Sequence, residues 1–133
     1  MTWPVIDGLR TLELGFAGEQ RDRLTGYVLH GRKRATAGVV AEYDEEGEPL
    51  EHVGERLVLV DSAGEEIARI AVTEVDVRRF DDVEWAFADD EGEGFTSIED
   101  WREGHRRHWA REGRDITGDT PIVCIRFELL DAT

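Results

Sequence analysis

Lysine is almost absent from this sequence: of sixteen basic residues fifteen are arginines, and Lys33 is the one lysine. On a solvated surface either residue would serve, so the exception calls for a reason. An ammonium can give up its proton when it is buried or crowded by other cations, which a guanidinium cannot do, and a lone lysine in an arginine-rich chain is therefore a candidate base. Arg32 and Arg34 flank it, and their charge would favour the neutral amine. Cysteine is as scarce. The single Cys124 excludes an internal disulfide and a multi-thiol zinc cluster. It lies in the strand-like run PIVCIRF, where a buried inert thiol is expected rather than a nucleophile. No apolar run approaches the roughly 20 residues that a membrane-spanning helix needs. The opening residues, MTWPVIDGLR, show neither the basic nor the apolar region of a signal peptide. These absences lead to the expectation of a soluble, cytoplasmic protein without a membrane partner. A length of 133 residues suits one domain over 1–133, with no internal linker.

What the chain has in excess is acid, with a formal net charge of −15. The basic residues gather in two places, residues 30–34 and residues 102–114, so the remainder is more acidic still. Long nucleic acid would be repelled by most of such a surface, because non-specific binding rests on neutralised phosphates. A short RNA or a single nucleoside held in a local pocket would not.

Hydrophobic spacing supplies the elements. Residues 1–16 read as an extended lead-in, with Trp3 packed rather than functional. From about Gly18 to His30, Leu24, Tyr27 and Val28 recur at helical steps, and Gly31 supplies a stop. Lys33 then lies just past a helix C-terminus, where a cation is favoured and where loops place catalytic groups. Thr36, Val39 and Val40 begin a strand. EYDEEGEPLEHVGE has no apolar period and reads as an exposed acidic loop. Leu57 to Val60 is a short strand apolar on both faces, DSAGE a hairpin turn, and Glu66 to Phe80 a long strand whose alternation slips near Thr73 and Glu74, as a bulge would make it. A short helix is expected around Val83 to Phe87, with Trp85 and Phe87 in the core, followed by a glycine-broken acidic loop. Thr96 and Glu99 suggest a capping box for the clearest helix, about Ser97 to Glu112. On it Ile98, Trp101, His105 and His108 or Trp109 share one face. His105 and His108 lack a third ligand in sequence and are expected to pack rather than bind metal. Pro121 to Leu130 closes the chain as a strand. Helix, loop, strands, helix and strand, without alternating βαβ units, predict an α+β protein: a small, partly closed β-barrel of about five to six strands flanked by two main helices.

Four separated stretches, GRKRATAG, GEPLEHVGE, FADDEGEGFTSIEDWREGH and PIVCIRFELL, resemble in that order the ASCH domain, a compact barrel of the PUA-like superfamily, over about residues 8–130. The resemblance implies RNA or nucleoside binding in a cleft beside the GxK loop. The family's usual signature is GxKxxExR; here it reads Gly31, Lys33, Thr36 and Gly38, with Thr in place of Glu and Gly in place of the basic residue. Thr at that position also occurs in the small bacterial ASCH amidohydrolases that cleave N4-acetylcytidine. Position by position this implies Lys33, Thr36 and Glu91 as the catalytic set, with Glu93 a second candidate for the acid.

The chemistry stands beside the resemblance. A threonine hydroxyl becomes a nucleophile when a neighbouring base takes its proton, an un-ionised lysine can be that base, and a loop carboxyl can protonate the departing amine. Residues three apart on a regular strand point to opposite faces, so Lys33 and Thr36 can cooperate only if the segment after Gly31 is irregular. Arg32, Arg34, Glu93, Arg102 and Arg106 are the expected substrate contacts; no metal and no cofactor are expected. Three functions remain open at this point: a hydrolase acting on an amide of a modified nucleoside, a ribonuclease in which Lys33 stabilises developing charge while the helix arginines grip phosphates, and a non-catalytic RNA- or nucleotide-binding module. Net charge favours the first over the second.

Overall fold

The computed structural model describes residues 3–132. Met1, Thr2 and Thr133, which the single-domain expectation includes, lie outside the described residues. Two short strands, β1 (Val5–Ile6) and β2 (Leu9–Leu12), form a hairpin, and α1 (Glu19–Leu29) follows. Next come β3 (Ala35–Val39), α2 (Val40–Glu46), β4 (Arg56–Val60) and β5 (Glu66–Arg79). A 3-10 turn (Phe80–Asp82), α3 (Trp85–Asp90), α4 (Ile98–Arg111) and β6 (Pro121–Ala132) complete the chain. The six strands run in the order β1-β2-β4-β5-β6-β3, antiparallel except for β2 beside β4. The sheet does not close on itself, and the α+β class and strand number are those expected.

The long β5–β6 pair is the spine. Its register slips between Val72 and Glu74, at the expected bulge, and again between Arg69 and Ile70. Strand alternation makes β6 a partition between two cores. Val123, Ile125 and Phe127 face a cluster with Leu24, Val28, Leu57 and Ile70, whereas Ile122 and Cys124 face one with Phe80, Phe87, Trp101 and Trp109. Cys124 is free and buried, and burial pushes its thiol up to about 12, so it is inert.

Three local expectations need correction. The acidic stretch after Val39 opens as α2, because Tyr43 turns into the core and supports a helix that charge alone conceals, and Gly47 ends it in the left-handed region. The cap of α4 is Ser97, one residue after the expected Thr96: its hydroxyl accepts from the Asp100 N–H, while Asp100, not Glu99, reaches back to the Thr96 N–H. Trp85 is 37 % exposed rather than core, since the first turn of α3 faces outward and Phe87 and Ala88 are its buried residues.

Candidate functional site

Lys33 is fixed before β3 begins. The N–H groups of Arg32 and Lys33 both bond the Tyr27 carbonyl at the end of α1, and Gly31, at φ +77°, makes the turn that allows it. Arg34 N–H then bonds Asp90 O, and its own carbonyl accepts from Phe127, clamping the segment between α3 and β6. The strand starts only at Ala35, so the strict alternation that would separate Lys33 from Thr36 does not apply. Arg32 and Arg34 turn outward. Arg32 lies over the Tyr27 ring at 4.4 Å and Arg34 pairs with Asp90 at 3.0 Å, so neither crowds the amine, and that reason for a neutral lysine falls away.

The Lys33 side chain is fully buried, and what surrounds it is carboxylate. Its Nζ donates to Ala35 O at 2.7 Å, to Glu93 Oε2 at 2.5 Å and to Glu91 Oε2 at 3.4 Å. The loop after α3 can come this close because residue 92 is glycine: at φ +63°, a Cβ there would collide with the Arg32 carbonyl and approach the Lys33 Cα to 3.0 Å. Asp90, held by Arg34 and Arg126, pins the start of that loop.

Helix α4 seals the other side. Trp101 Nε1 donates to Glu91 Oε1 at 2.6 Å, and His105 Nε2 lies 3.4 Å from the same oxygen. His105 Nδ1 is 3.0 Å from the Trp101 carbonyl, and its ring stacks on Trp101 at 4.1 Å. Each ring nitrogen faces an acceptor, an environment that suits the imidazolium. Burial alone would lower the His105 pKa, but the Glu91 charge and hydrogen bond prevail and raise it. Burial likewise works to raise Glu91, and Lys33, His105 and the Trp101 donor overcome it and hold the carboxyl lowered to about 2. Glu93 goes the other way: burial, then the Glu91 charge, push it up against Lys33. Two carboxyls one residue apart from a glycine thus differ in kind. Glu91 is held toward the anion, and the shift of Glu93 runs toward the protonated acid.

Glu91, Glu93 and His105 line a cavity of about 350 Å³ together with Thr36, Phe95 and Trp109. Among the described residues none bonds the Thr36 hydroxyl, which is half-buried on the cavity wall. The ligand atoms of Glu91, Glu93 and His105 lie within 4.8 Å of one another, close enough for a cation. The Lys33 ammonium already fills that role at 2.5 Å from Glu93, and a metal ion would have to displace it.

The expected residues divide into two groups. Lys33, Glu91 and Glu93 form one contact network, and Glu91 and Glu93 line the same cavity as Thr36, with Lys33 buried behind them. Arg102 and Arg106 are turned to the 3-10 turn: Arg102 donates to Asp81 O, and Arg106 lies over the Phe80 ring at 4.8 Å. Neither lines this cavity, nor do Arg32 and Arg34. His105, read from the sequence as a packing residue, both packs and binds Glu91, and Trp101 bonds that carboxylate as well. Their spacing of four on the buried face of α4 was visible; their carboxylate partner was not.

The model of the ASCH domain family matches residues 12–131. No curated protein matches the chain. Among solved structures, a protein of Enterococcus faecalis V583 carrying the family model DUF984 is 29% identical, with 90% of this chain and 75% of that one covered and a TM-score of 0.81. An ASCH domain from Lactobacillus crispatus JV V101 is also 29% identical, over 86% of this chain and 76% of that one, with a TM-score of 0.75. A mutant ASCH protein of Zymomonas mobilis, 10% identical over 84% and 69% with a TM-score of 0.52, shares the fold alone.

Proposed function

The chain belongs to the ASCH domain family, and from that premise we propose that it binds a nucleoside carrying an acylated exocyclic amine, such as N4-acetylcytidine, and hydrolyses the amide. One observation carries the reading: Glu91, Glu93 and His105, joined to the buried Lys33 amine behind them, line a cavity whose wall offers a threonine hydroxyl that no described residue hydrogen-bonds. Cavity size is that of small-molecule sites. Its lining favours a nucleoside over RNA, since Glu13, Glu42 and Glu112 stand beside the cluster acids with Arg23 and two histidines as the cationic or basic residues. A polyanion would meet more repulsion than grip.

In this mechanism Thr36 Oγ1 adds to the amide carbonyl. Its proton passes to the Lys33 amine, which has given one of its own to Glu93, and Glu93 protonates the departing exocyclic nitrogen. The C–N bond breaks as the threonine ester forms; water then cleaves that ester, releasing the acid and restoring the hydroxyl. Glu91 stays anionic throughout and, with Trp101 and His105, holds the amine in place. The second reading, a nucleoside-binding module without turnover, draws on the same amine: Ala35 O, Glu91 and Glu93 engage it already, as in a structural ion pair.

Incubation with a panel of acylated nucleosides and a short RNA, followed by chromatography, separates the readings. Deacylation is expected, reduced at least a hundredfold in Thr36→Ala and in Lys33→Arg. Binding without turnover would favour the module, and strand scission without deacylation would favour the ribonuclease.

A further inference from the structure

The cavity has a second lobe, also of about 350 Å³, which meets the first along β3: Thr36, Ala37 and Gly38 line both. The second lobe lies away from Glu91 and Glu93 and is lined by four carboxylates, Glu13, Glu42, Glu51 and Glu112. Arg21 is the one cation among the described lining residues, and it is turned onto the carbonyls of Leu14 and Gly15 and toward Glu13. This lobe therefore offers acceptors in excess of donors and repels anions.

Glu51 is the informative member. It is only 9 % exposed, and its Oε1 accepts the Tyr43 hydroxyl at 2.7 Å. Its own backbone N–H also bonds the carboxylate, no other described residue adds a hydrogen bond to it, and Glu51 lines the lobe. A carboxylate oxygen this deep is costly unless a donor meets it. Trp3, edge-on to Tyr43 with centroids 4.9 Å apart, adds an aromatic wall. Gly38 leaves bare backbone on the wall of the lobe beside Tyr43, where a Cβ would lie in ordinary contact at 3.5 Å from Tyr43 Cε1 and 3.7 Å from its hydroxyl.

We infer that the second lobe is a ribose subsite, in which Glu51 accepts hydrogen bonds from the sugar hydroxyls of an unphosphorylated nucleoside whose acylated base reaches Thr36 and the Lys33 cluster. The inference rests on the nucleoside reading and adds what selects the sugar. Hydroxyls are uncharged donors, and vicinal ones can serve Glu51 and Glu42 together, while the aromatic wall covers the C–H face of the ring. A 5′-phosphate would bring negative charge against Glu13, Glu42 and Glu112.

Calorimetry on the full chain carrying Thr36→Ala, which keeps the ligand unreacted, tests it with four probes: N4-acetylcytidine, its 2′,3′-dideoxy analogue, its 5′-monophosphate and free N4-acetylcytosine. On the order of tenfold weaker binding or more is expected for the dideoxy analogue, the scale of a hydrogen bond to a charged group, and for the phosphate. Adding Glu51→Gln, which keeps an acceptor for Tyr43, should erase the difference between ribose and dideoxyribose and leave the free base unaffected; an unchanged unfolding midpoint certifies the variant. Equal affinity for ribose and dideoxyribose, or tighter binding of the phosphate, overturns the subsite, and binding of the acylated base would then still support the nucleoside-amide reading. Failure of all four probes to bind overturns both.

Discussion

Two places in this molecule use the same parts. Lys33 is met by two glutamates and a backbone carbonyl, Glu91, Glu93 and Ala35 O. Arg10 is met by Glu48, Glu55 and Pro49 O. In the first set the lysine side chain and Glu91 are sealed, at 0 % and 1 % exposure, while Glu93, at 17 %, reaches toward the cavity; in the second no member is sealed, with Arg10 and Glu55 at 14 % and Glu48 at 10 %. That difference decides what else each needs. Where water reaches, one cation may stand between two carboxylates and the surplus charge is solvated. Where it does not, the surplus has to be matched inside: the Glu91 charge raises the His105 pKa and so favours an imidazolium there, while Trp101 bonds the remaining oxygen. The Lys33 set is also the one whose carboxyls are shifted in opposite directions, Glu91 lowered and Glu93 raised. The Arg10 set joins β2 to the segment before β4.

The largest effect should come from removing the sealed cation. Lys33→Met fills a similar volume and leaves two buried carboxylates facing each other, a loss of about 3–5 kcal/mol on the scale of a broken buried pair. Urea unfolding measures it. A loss below 1 kcal/mol would mean that the cluster is wet and that the contrast with Arg10 is false.

Acidity should separate the two sets next. Glu91 has its folded pKa depressed to about 2 from 4.5, so it stabilises the fold above pH 4.5, and this is lost as pH falls toward 2. A shift of that size corresponds to about 3 kcal/mol. His105 is raised above 6.5, so its contribution is complete below that value and is lost as pH rises through the folded pKa. The Glu91–His105 pair therefore supports the fold most between about pH 4.5 and 6.5. Glu91→Gln should flatten the acid limb of a stability profile recorded from pH 3 to 8. In a ring-proton NMR titration His105 should titrate above the ordinary imidazole range and His108, one turn along α4, below it, because burial and then the His105 and Arg111 charges lower His108. The opposite order would remove the imidazolium from the cluster.

Much of this was open to the sequence because strands and the long helix announce themselves by spacing. The bulge near Thr73 showed as a slip in alternation, and α4 showed its buried face through Trp101, His105 and Trp109. The oddity of one lysine among fifteen arginines pointed at a residue that the fold buries, but for a reason the fold does not use: the flanking arginines face away, and it is carboxylates from a loop some 58–60 positions on that hold the amine. Pairing across such a separation leaves no periodic trace. The same holds for α2 and Glu51, hidden in a run of acid whose buried apolar residue is Tyr43, with Leu50 partly buried against the same core. The substrate contacts expected from the arginines of α4 followed charge alone, and charge does not tell which way a helix faces.

The smallest effect belongs to Arg10→Lys. Arginine holds Glu55 in a two-pronged fork, Nε to Oε2 and Nη2 to Oε1, both at 2.9 Å, and a lysine keeps the charge but not the fork. Because the site is partly open, water replaces what the fork loses, and the expected cost is about 1 kcal/mol or less. It should shrink further in 1 M NaCl, where the Debye length falls to about 3 Å, whereas the cost of Lys33→Met should be nearly unchanged, since salt does not enter a sealed site. Unfolding both variants at low and high salt compares them directly. If the Arg10 variant lost as much as the Lys33 variant, or the Lys33 loss were screened as strongly, exposure would not be what distinguishes the two clusters, and the internal balancing by His105 would need another cause.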